Sequence, residues 1–131
     1  MGDCEMISQE EFADILPIIC SAETSSDPDR WVIDNPLYGH CSPIALLAQE
    51  FFGGDIVKIS LEGTEYSKLI SHFLNKIDGE FVDFSKAQFQ NDFVYNLDNV
   101  LLRDREHIIS QGDTLKRYII LKQKFLSKSN L

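Results

Sequence analysis

Residues 69 to 84 run Leu69-Ile70-Ser71-His72-Phe73-Leu74-Asn75-Lys76-Ile77-Asp78-Gly79-Glu80-Phe81-Val82-Asp83-Phe84. Two strand-like stretches, Leu69 to Ile77 and Glu80 to Phe84, flank the dipeptide Asp78-Gly79. A two-residue hairpin turn needs positive φ at both central positions, and Asp-Gly meets that need at little steric cost. The stretch therefore predicts an antiparallel hairpin in which Ile77 pairs with Glu80 and Leu74 with Asp83. His72 then lies opposite Ser85, on the same sheet face as Asp83 and two residues off in register. Diagonal neighbours of this kind have Cα atoms about 7–8 Å apart, within reach of a carboxylate that holds an imidazole. A one-residue slip would send the two side chains to opposite faces.

Upstream, Cys41-Ser42-Pro43 opens a helix, with Ser42 suited to the N-cap and Pro43 to the first helical position. Ile44, Leu47, Ala48 and Phe51 form its apolar stripe, and Gly53-Gly54 ends it. A cysteine at a helix N-terminus meets the positive end of the dipole and free N–H groups, which favour the nucleophilic thiolate. The same N–H groups suit a developing oxyanion. A free cysteine is also a common small core residue, so its position alone does not assign chemistry. Cys41, His72 and Asp83 together make the generalised triad: a carboxylate orients a histidine that faces a thiol. The plain alternative is a hydrogen-bonded strand histidine and a buried acid satisfied by backbone donors.

The remaining chain frames this centre. Ser8-Gln9-Glu10-Glu11 has the form of a capping box and precedes Phe12, Ile15, Leu16 and Ile19 at helical spacing, with Pro17 expected to kink or shorten the helix. Ala22 to Asp29 reads as a linker and Trp31 to Gly39 as irregular chain. Ile56 to Leu61 alternates as a strand. One helix is expected from about Leu97 to Ile109. Another should run from Thr114 to about Leu126, capped by Asp113, with Leu115, Tyr118, Ile119, Lys122 and Phe125 along one side. The expected class is α+β, with three antiparallel strands and flanking helices in one domain over residues 1–131. Residues 1–30 would form the N-terminal helix and linker, 31–89 the core, and 90–131 the C-terminal helices.

At 131 residues and 15.0 kDa, with 44% hydrophobic and 25% charged residues, the chain suits one globular domain. Twenty-one acidic against 12 basic residues give a net charge of −9. A nucleic-acid binder needs a basic face to displace counterions, so no nucleic-acid partner is expected, and anionic membranes are disfavoured likewise. The basic residues Lys116, Arg117, Lys122, Lys124 and Lys128 cluster near the C-terminus, where they are expected to complement the acidic body. Three cysteines, Cys4, Cys20 and Cys41, are an odd number at long spacings, as in a reducing compartment. There is no apolar run of the roughly 20 residues that span a bilayer, and the first residues lack signal-peptide character. The expected location is cytoplasmic, although a protein exported without such a signal would read the same.

The run Asn35-Pro36-Leu37-Tyr38-Gly39-His40-Cys41, then Gly53-Gly54, Ser71-His72-Phe73-Leu74-Asn75, Asp78-Gly79 and Val82-Asp83-Phe84-Ser85 with Gln88-Phe89, resembles the YunG-like family. These are small, mostly uncharacterised bacterial proteins. Arg103 and Arg117-Tyr118 extend the resemblance, which covers Trp31 to about Leu121. That arrangement is in turn similar to papain-like and transglutaminase-like thiol enzymes. The resemblance implies a papain-like core with Cys41 as nucleophile, His72 as general base and Asp83 as orienting acid. Two positions depart from the family's pattern. His40 stands where a Gln commonly precedes the Cys, which leaves the Cys41 N–H as the main oxyanion donor. Asp83-Phe84-Ser85 replaces an Asp-Leu-Thr.

The leading expectation is a cysteine-dependent hydrolase or acyl transferase, of peptidase, amidase or deamidase type, acting on an amide or thioester bond. Its substrate would be a peptide or a protein side chain, in a shallow site or a cleft completed by a protein partner. His40, Trp31, Tyr38 and Asn35 form the expected oxyanion or substrate neighbourhood, with Trp31 favoured as packing beneath the loop. Gln88-Phe89 should anchor the chain after the hairpin, and Arg103 and Arg105 should pair with the acidic body. No cofactor motif is visible. His40, Cys41, Cys4, Cys20 and His107 lack metal-ligand spacing, so no metal is expected. Two rivals remain open: a non-catalytic papain-like module that binds a peptide or protein, and a small acidic regulator that covers a basic surface.

Overall fold

A computed structural model describes residues 7–62, 64, 66, 71–89, 93–95, 97, 98 and 100–129. Cys4, Leu69 and Ile70 therefore lie outside the described residues. In chain order the elements are α1 (Gln9–Ile19), α2 (Cys41–Phe52), β1 (Asp55–Ser60), β2 (Ser71–Ile77), β3 (Glu80–Val82), β4 (Leu101–Arg103), α3 (Arg105–Ile109) and α4 (Thr114–Ser129). The architecture is α+β. The strands form one antiparallel four-stranded sheet in the order β3-β2-β1-β4.

Helix α1 begins at a reciprocal capping box: Ser8 Oγ accepts the Glu11 N–H, and Glu11 Oε1 accepts the Ser8 N–H. Pro17 sits in its last turn, and the helix ends two residues later at Ile19. Phe12, Leu16 and Ile19 are buried against α2 and α4, where Phe12 meets the rings of Phe51, Phe52, Phe84 and Phe125. This helical layer covers one face of the sheet through Ile56 and Phe73. Val57, Ile59 and Leu74 face the other way, under Phe89 and Phe93. The alternation follows from the period-2 geometry of β1 and β2.

The hairpin has Asp78 at φ 52° and Gly79 at φ 82°, the two left-handed conformations that a two-residue turn requires. Ile77 pairs with Glu80 and Asn75 with Val82. β3 ends at Val82, so Asp83 follows the ladder instead of lying within it.

Three expectations need correction. The helix expected over Leu97 to Ile109 is absent; Leu101–Arg103 instead pairs with β1 as a fourth strand, and only Arg105–Ile109 is helical. The free edge of β1 offers unpaired backbone groups to this segment, and extended Asp104 (φ −70°, ψ 143°) separates strand from helix. Helix α2 starts at Cys41 with His40 as N-cap residue, two residues before the start that Ser42-Pro43 suggested. Helix α4 is turned relative to the expected stripe: Arg117 and Leu121 are buried while Leu115 and Ile119 are exposed. Arg117 goes inside because its guanidinium finds Asp113 Oδ1, Thr114 Oγ1 and the carbonyls of Thr24 and Gly39. Lys122 and Lys124 pair with Glu50 and Glu23, and Arg105 with Glu50. No helix among the described residues is long and apolar enough to cross a membrane.

Candidate active site

Helix α2 and strand β2 are locked together along their lengths. Asn75 is almost wholly buried, and its Nδ2 donates to the Ala45 carbonyl at 3.0 Å. One helical turn earlier, Cys41 meets His72 and the backbone N–H of Phe73. These contacts hold the first residue of α2 against the start of β2.

His72 is 1% exposed, and its Nε2 lies 2.7 Å from Asp83 Oδ2. That leaves Nδ1 of the ring for the Cys41 sulfur, with which His72 also shares a hydrogen bond. The rings of Phe89 and Tyr95 pack on the imidazole at 5.0 and 5.6 Å between centroids. Asp83 is held from both oxygens. Oδ2 also accepts the Tyr95 hydroxyl at 2.5 Å, and Oδ1 accepts the Ser85 N–H at 3.1 Å and lies 3.3 Å from Ser85 Oγ.

The charges follow from this packing. Burial disfavours an ionised Cys41, but the bond and charge of His72 and the Phe73 N–H outweigh it, and the thiol titrates below its ordinary value. Burial likewise disfavours a charged His72, yet Asp83 and Cys41 push it up to about 9. Burial opposes the Asp83 carboxylate too; His72, Tyr95 and Ser85 outweigh it and hold the acid below its usual range. Tyr95 is raised by burial and then by Asp83, so it remains a donor. Both shifts act in the direction of a thiolate facing an imidazolium that a carboxylate holds in place. Cys20, by contrast, is buried and pushed up to about 12, the behaviour of an inert core thiol.

Cys41 is partly exposed and borders a cavity of about 170 Å³ lined by Ser26, Gly39, Cys41, Ser42, His72, Phe73 and Gln88. In the first turn of α2, Pro43 has no N–H and the His40 side chain makes no cap. Among the described residues, the N–H groups of Cys41 and Ser42 therefore have no hydrogen-bond acceptor and stand beside the thiol.

The expected neighbourhood residues lie elsewhere. His40 is fully buried: its Nδ1 donates to the Tyr38 carbonyl at 2.9 Å, and its Nε2 accepts the Thr24 hydroxyl at 2.6 Å. It does not line the cavity. Burial, then the charges of Arg117 and Lys124, bring it down to about 4, so the ring is neutral. Trp31 Nε1 donates to the Pro36 carbonyl and Tyr38 donates to Asp27 Oδ2. Asn35 Nδ2 donates to the Gln88 carbonyl. These residues brace the loop behind Cys41 without lining its cavity.

The sequence reading did not single out Tyr95 or Ser85 as partners of Asp83, nor Asn75 as the link to α2. Tyr95 arrives from a stretch without periodicity, so no local signal marks it. Asn75 carried a usable one: a polar residue paired with buried Ile56 in the most buried part of the sheet needs a partner. Among the described residues, no group of three or more His, Cys, Asp and Glu is placed to hold a metal ion.

The chain is similar to the protein of Bacillus subtilis (strain 168) named Uncharacterized protein YunG, with 35% identity over 66 residues. The matched region covers 50% of this chain and 52% of that protein, so the chain spans about half the length of the curated relative it matches. No solved structure matches. The family model described as YunG protein matches residues 8–130, nearly the whole chain including every residue of the site, and the protein belongs to that family.

Proposed function

We propose that this protein is a cysteine-dependent hydrolase or acyl transferase with a papain-like arrangement of Cys41, His72 and Asp83. The observation that carries the proposal is the single imidazole held between a carboxylate and a partly exposed thiol at the edge of a cavity. Cys41 attacks a carbonyl carbon as the thiolate, and the π pair moves to the carbonyl oxygen. His72, as the imidazolium, gives its Nδ1 proton to the leaving group as the tetrahedral adduct collapses to a thioester. Water or a second acceptor, deprotonated by His72, then releases the acyl group. Asp83 fixes the ring orientation throughout.

A cavity of about 170 Å³ is smaller than the usual range of about 300–1,000 Å³ for small-molecule pockets. It suits a peptide or protein side chain presenting an amide or thioester, with the rest of the substrate or a partner protein completing the cleft. The chemistry depends on a reduced thiol, which is consistent with a cytoplasmic enzyme.

The test is the pH dependence of Cys41 alkylation by iodoacetamide, read by mass spectrometry with Cys20 as internal control and glutathione as free thiol. Cys41 should react well below the ordinary thiol range of about 8.5, and His72→Ala should abolish that advantage. Reaction no faster than glutathione at every pH would remove the proposal.

A further inference from the structure

Gln88 is 5% exposed and borders the same cavity as Cys41. The orientation of its amide is settled by its neighbours. The Gly39 N–H, 3.2 Å away, can only donate, so Oε1 faces Gly39. Nε2 then points to Ser85 Oγ at 3.3 Å. Ser85 accepts that proton and turns its own hydroxyl proton to Asp83 Oδ1. The bonds thus run in one direction, from Gly39 N–H through Gln88 and Ser85 to Asp83. Nε2 carries two protons and Ser85 takes one; the other has no partner among the described residues. An amide proton with no acceptor among the described residues, on a side chain that lines the nucleophile's cavity, is placed to meet a bound group.

We propose that Gln88 donates this second Nε2 proton to the oxygen that becomes negative when Cys41 attacks a carbonyl, forming an oxyanion site with the Cys41 and Ser42 N–H groups. This rests on the thiol-enzyme function proposed above. His40, at the position before the nucleophile, cannot serve, because both ring nitrogens are engaged inside the protein. Gln88 reaches the cavity from the turn after β3, and its bond to Gly39 sets it relative to the Cys41 loop.

Two small reagents separate oxyanion stabilisation from thiolate formation. With iodoacetamide the thiolate forms a C–S bond at a saturated carbon as iodide leaves with the electron pair, and no oxyanion arises. With p-nitrophenyl acetate the sulfur adds to the carbonyl, the oxygen takes the π pair, and p-nitrophenolate leaves as the acetyl thioester forms. In Gln88→Ala, alkylation of Cys41 should stay within about threefold of wild type while acylation falls about 10²-fold, the usual loss for one such donor. Gln88→Met keeps the length of the side chain, adds no charge beside the thiolate and removes the donor, and should show the same split.

Equal loss in both reactions would mean that Gln88 only positions the loop, and unchanged acylation would mean that it contributes no donor; either overturns the proposal. If both variants unfold, the Gln88 side-chain N–H signals of ¹⁵N-labelled wild type decide. They should shift when acetaldehyde forms a hemithioacetal on Cys41, whose oxygen sits on the carbon bonded to sulfur, and no shift with acetaldehyde refutes the assignment. Failure of the underlying reading looks different: wild-type Cys41 would then react with neither reagent faster than glutathione.

Discussion

His72 Nε2 and Asp83 Oδ2 lie 2.7 Å apart across a hairpin, joined by geometry at its closed end. The turn at Asp78-Gly79 fixes the register, the register puts both side chains on one face, and β3 stops one residue before Asp83. Ending the ladder there frees the backbone after Val82, so the Ser85 N–H can turn back to Asp83 Oδ1. The carboxylate is thereby anchored on one oxygen and directed at the histidine with the other.

Replacing Asp83 by Asn tests this anchoring. The charge that helps raise His72 would be lost, and its titration would fall from about 9 toward the ordinary value. Cys41 would lose the imidazolium that lowers it, and its thiolate would form at higher pH. Near pH 6.5 the alkylation rate should drop on the order of tenfold, one unit of apparent titration being a tenfold change in thiolate fraction. In wild type the advantage over glutathione should be greatest at and below neutral pH, where the free thiol is protonated, and fade as pH rises through the free thiol's range of about 8.5. An unchanged pH profile in Asp83→Asn would show that the carboxylate does not set the state of the pair.

His40 predicts an acid-sensitive fold. Buried and neutral, it titrates at about 4 in the folded protein, whereas the unfolded chain takes up its proton near the ordinary value of 6.5. Between these values the unfolded state binds more protons, so stability falls as pH falls. The loss from this residue between pH 7 and pH 5 should be about 2 kcal/mol. His72 works in the opposite sense, since its raised value favours the folded state as pH drops toward 6.5. The clean measurement is therefore the difference in urea stability between wild type and His40→Gln at the two pH values. That difference should narrow or reverse at pH 5, and a constant difference would contradict a neutral His40.

The contact between His72 and Asp83 was legible because every step to it is local: an Asp-Gly turn, a period of two, and a diagonal pair. The start of α2 was not. Ser42-Pro43 has the chemistry of a helix start, but the chain enters the helix at Cys41, with the His40 ring drawn into the interior by Thr24 and the Tyr38 carbonyl. The fourth strand was hidden for a similar reason. Leu101–Arg103 pairs with β1 more than forty residues earlier, and such a partner overrides local periodicity. Tyr95 and the bond from Gly39 to Gln88 also join distant segments. What the sequence displayed was the hairpin; what it concealed was how Tyr95, Gln88 and Leu101–Arg103 meet distant segments.

Asn75 should matter to reactivity as well as stability. Its bond to the Ala45 carbonyl ties α2 to β2 in the buried core, and Asn75→Ala removes it. Loss of a buried hydrogen bond costs about 1–3 kcal/mol. With that link gone, the N-terminal end of α2 should shift relative to His72, and the Cys41 rate advantage should fall while the thiol remains present. Chemical denaturation and alkylation on the same sample read the two effects. A stability loss without any change in Cys41 reactivity would show that the contacts at Cys41 hold the site unaided.

Gly39 offers the sharpest separation between backbone geometry and chemistry. Its φ is 76°, and a Cβ there would overlap Ser25 Oγ, which donates to the Tyr38 carbonyl. Its own N–H is held by Gln88 and its carbonyl receives the Ser26 N–H. In Gly39→Ala the left-handed conformation alone should cost about 1–3 kcal/mol, and the overlap must add to it by pushing the Ser25 loop away. Ser26 lines the Cys41 cavity, so the displacement reaches the site. The expected outcome is a lower thermal midpoint together with slower acylation of Cys41 by p-nitrophenyl acetate. Ser25→Gly in the Gly39→Ala background removes the clashing hydroxymethyl but not the positive φ, and should recover only part of the stability. Measured against Ser25→Gly alone, which loses the bonds to the Tyr38 carbonyl and the Asp27 N–H, complete recovery would mean that the left-handed backbone carries no strain, and no recovery would mean that the Ser25 overlap is irrelevant.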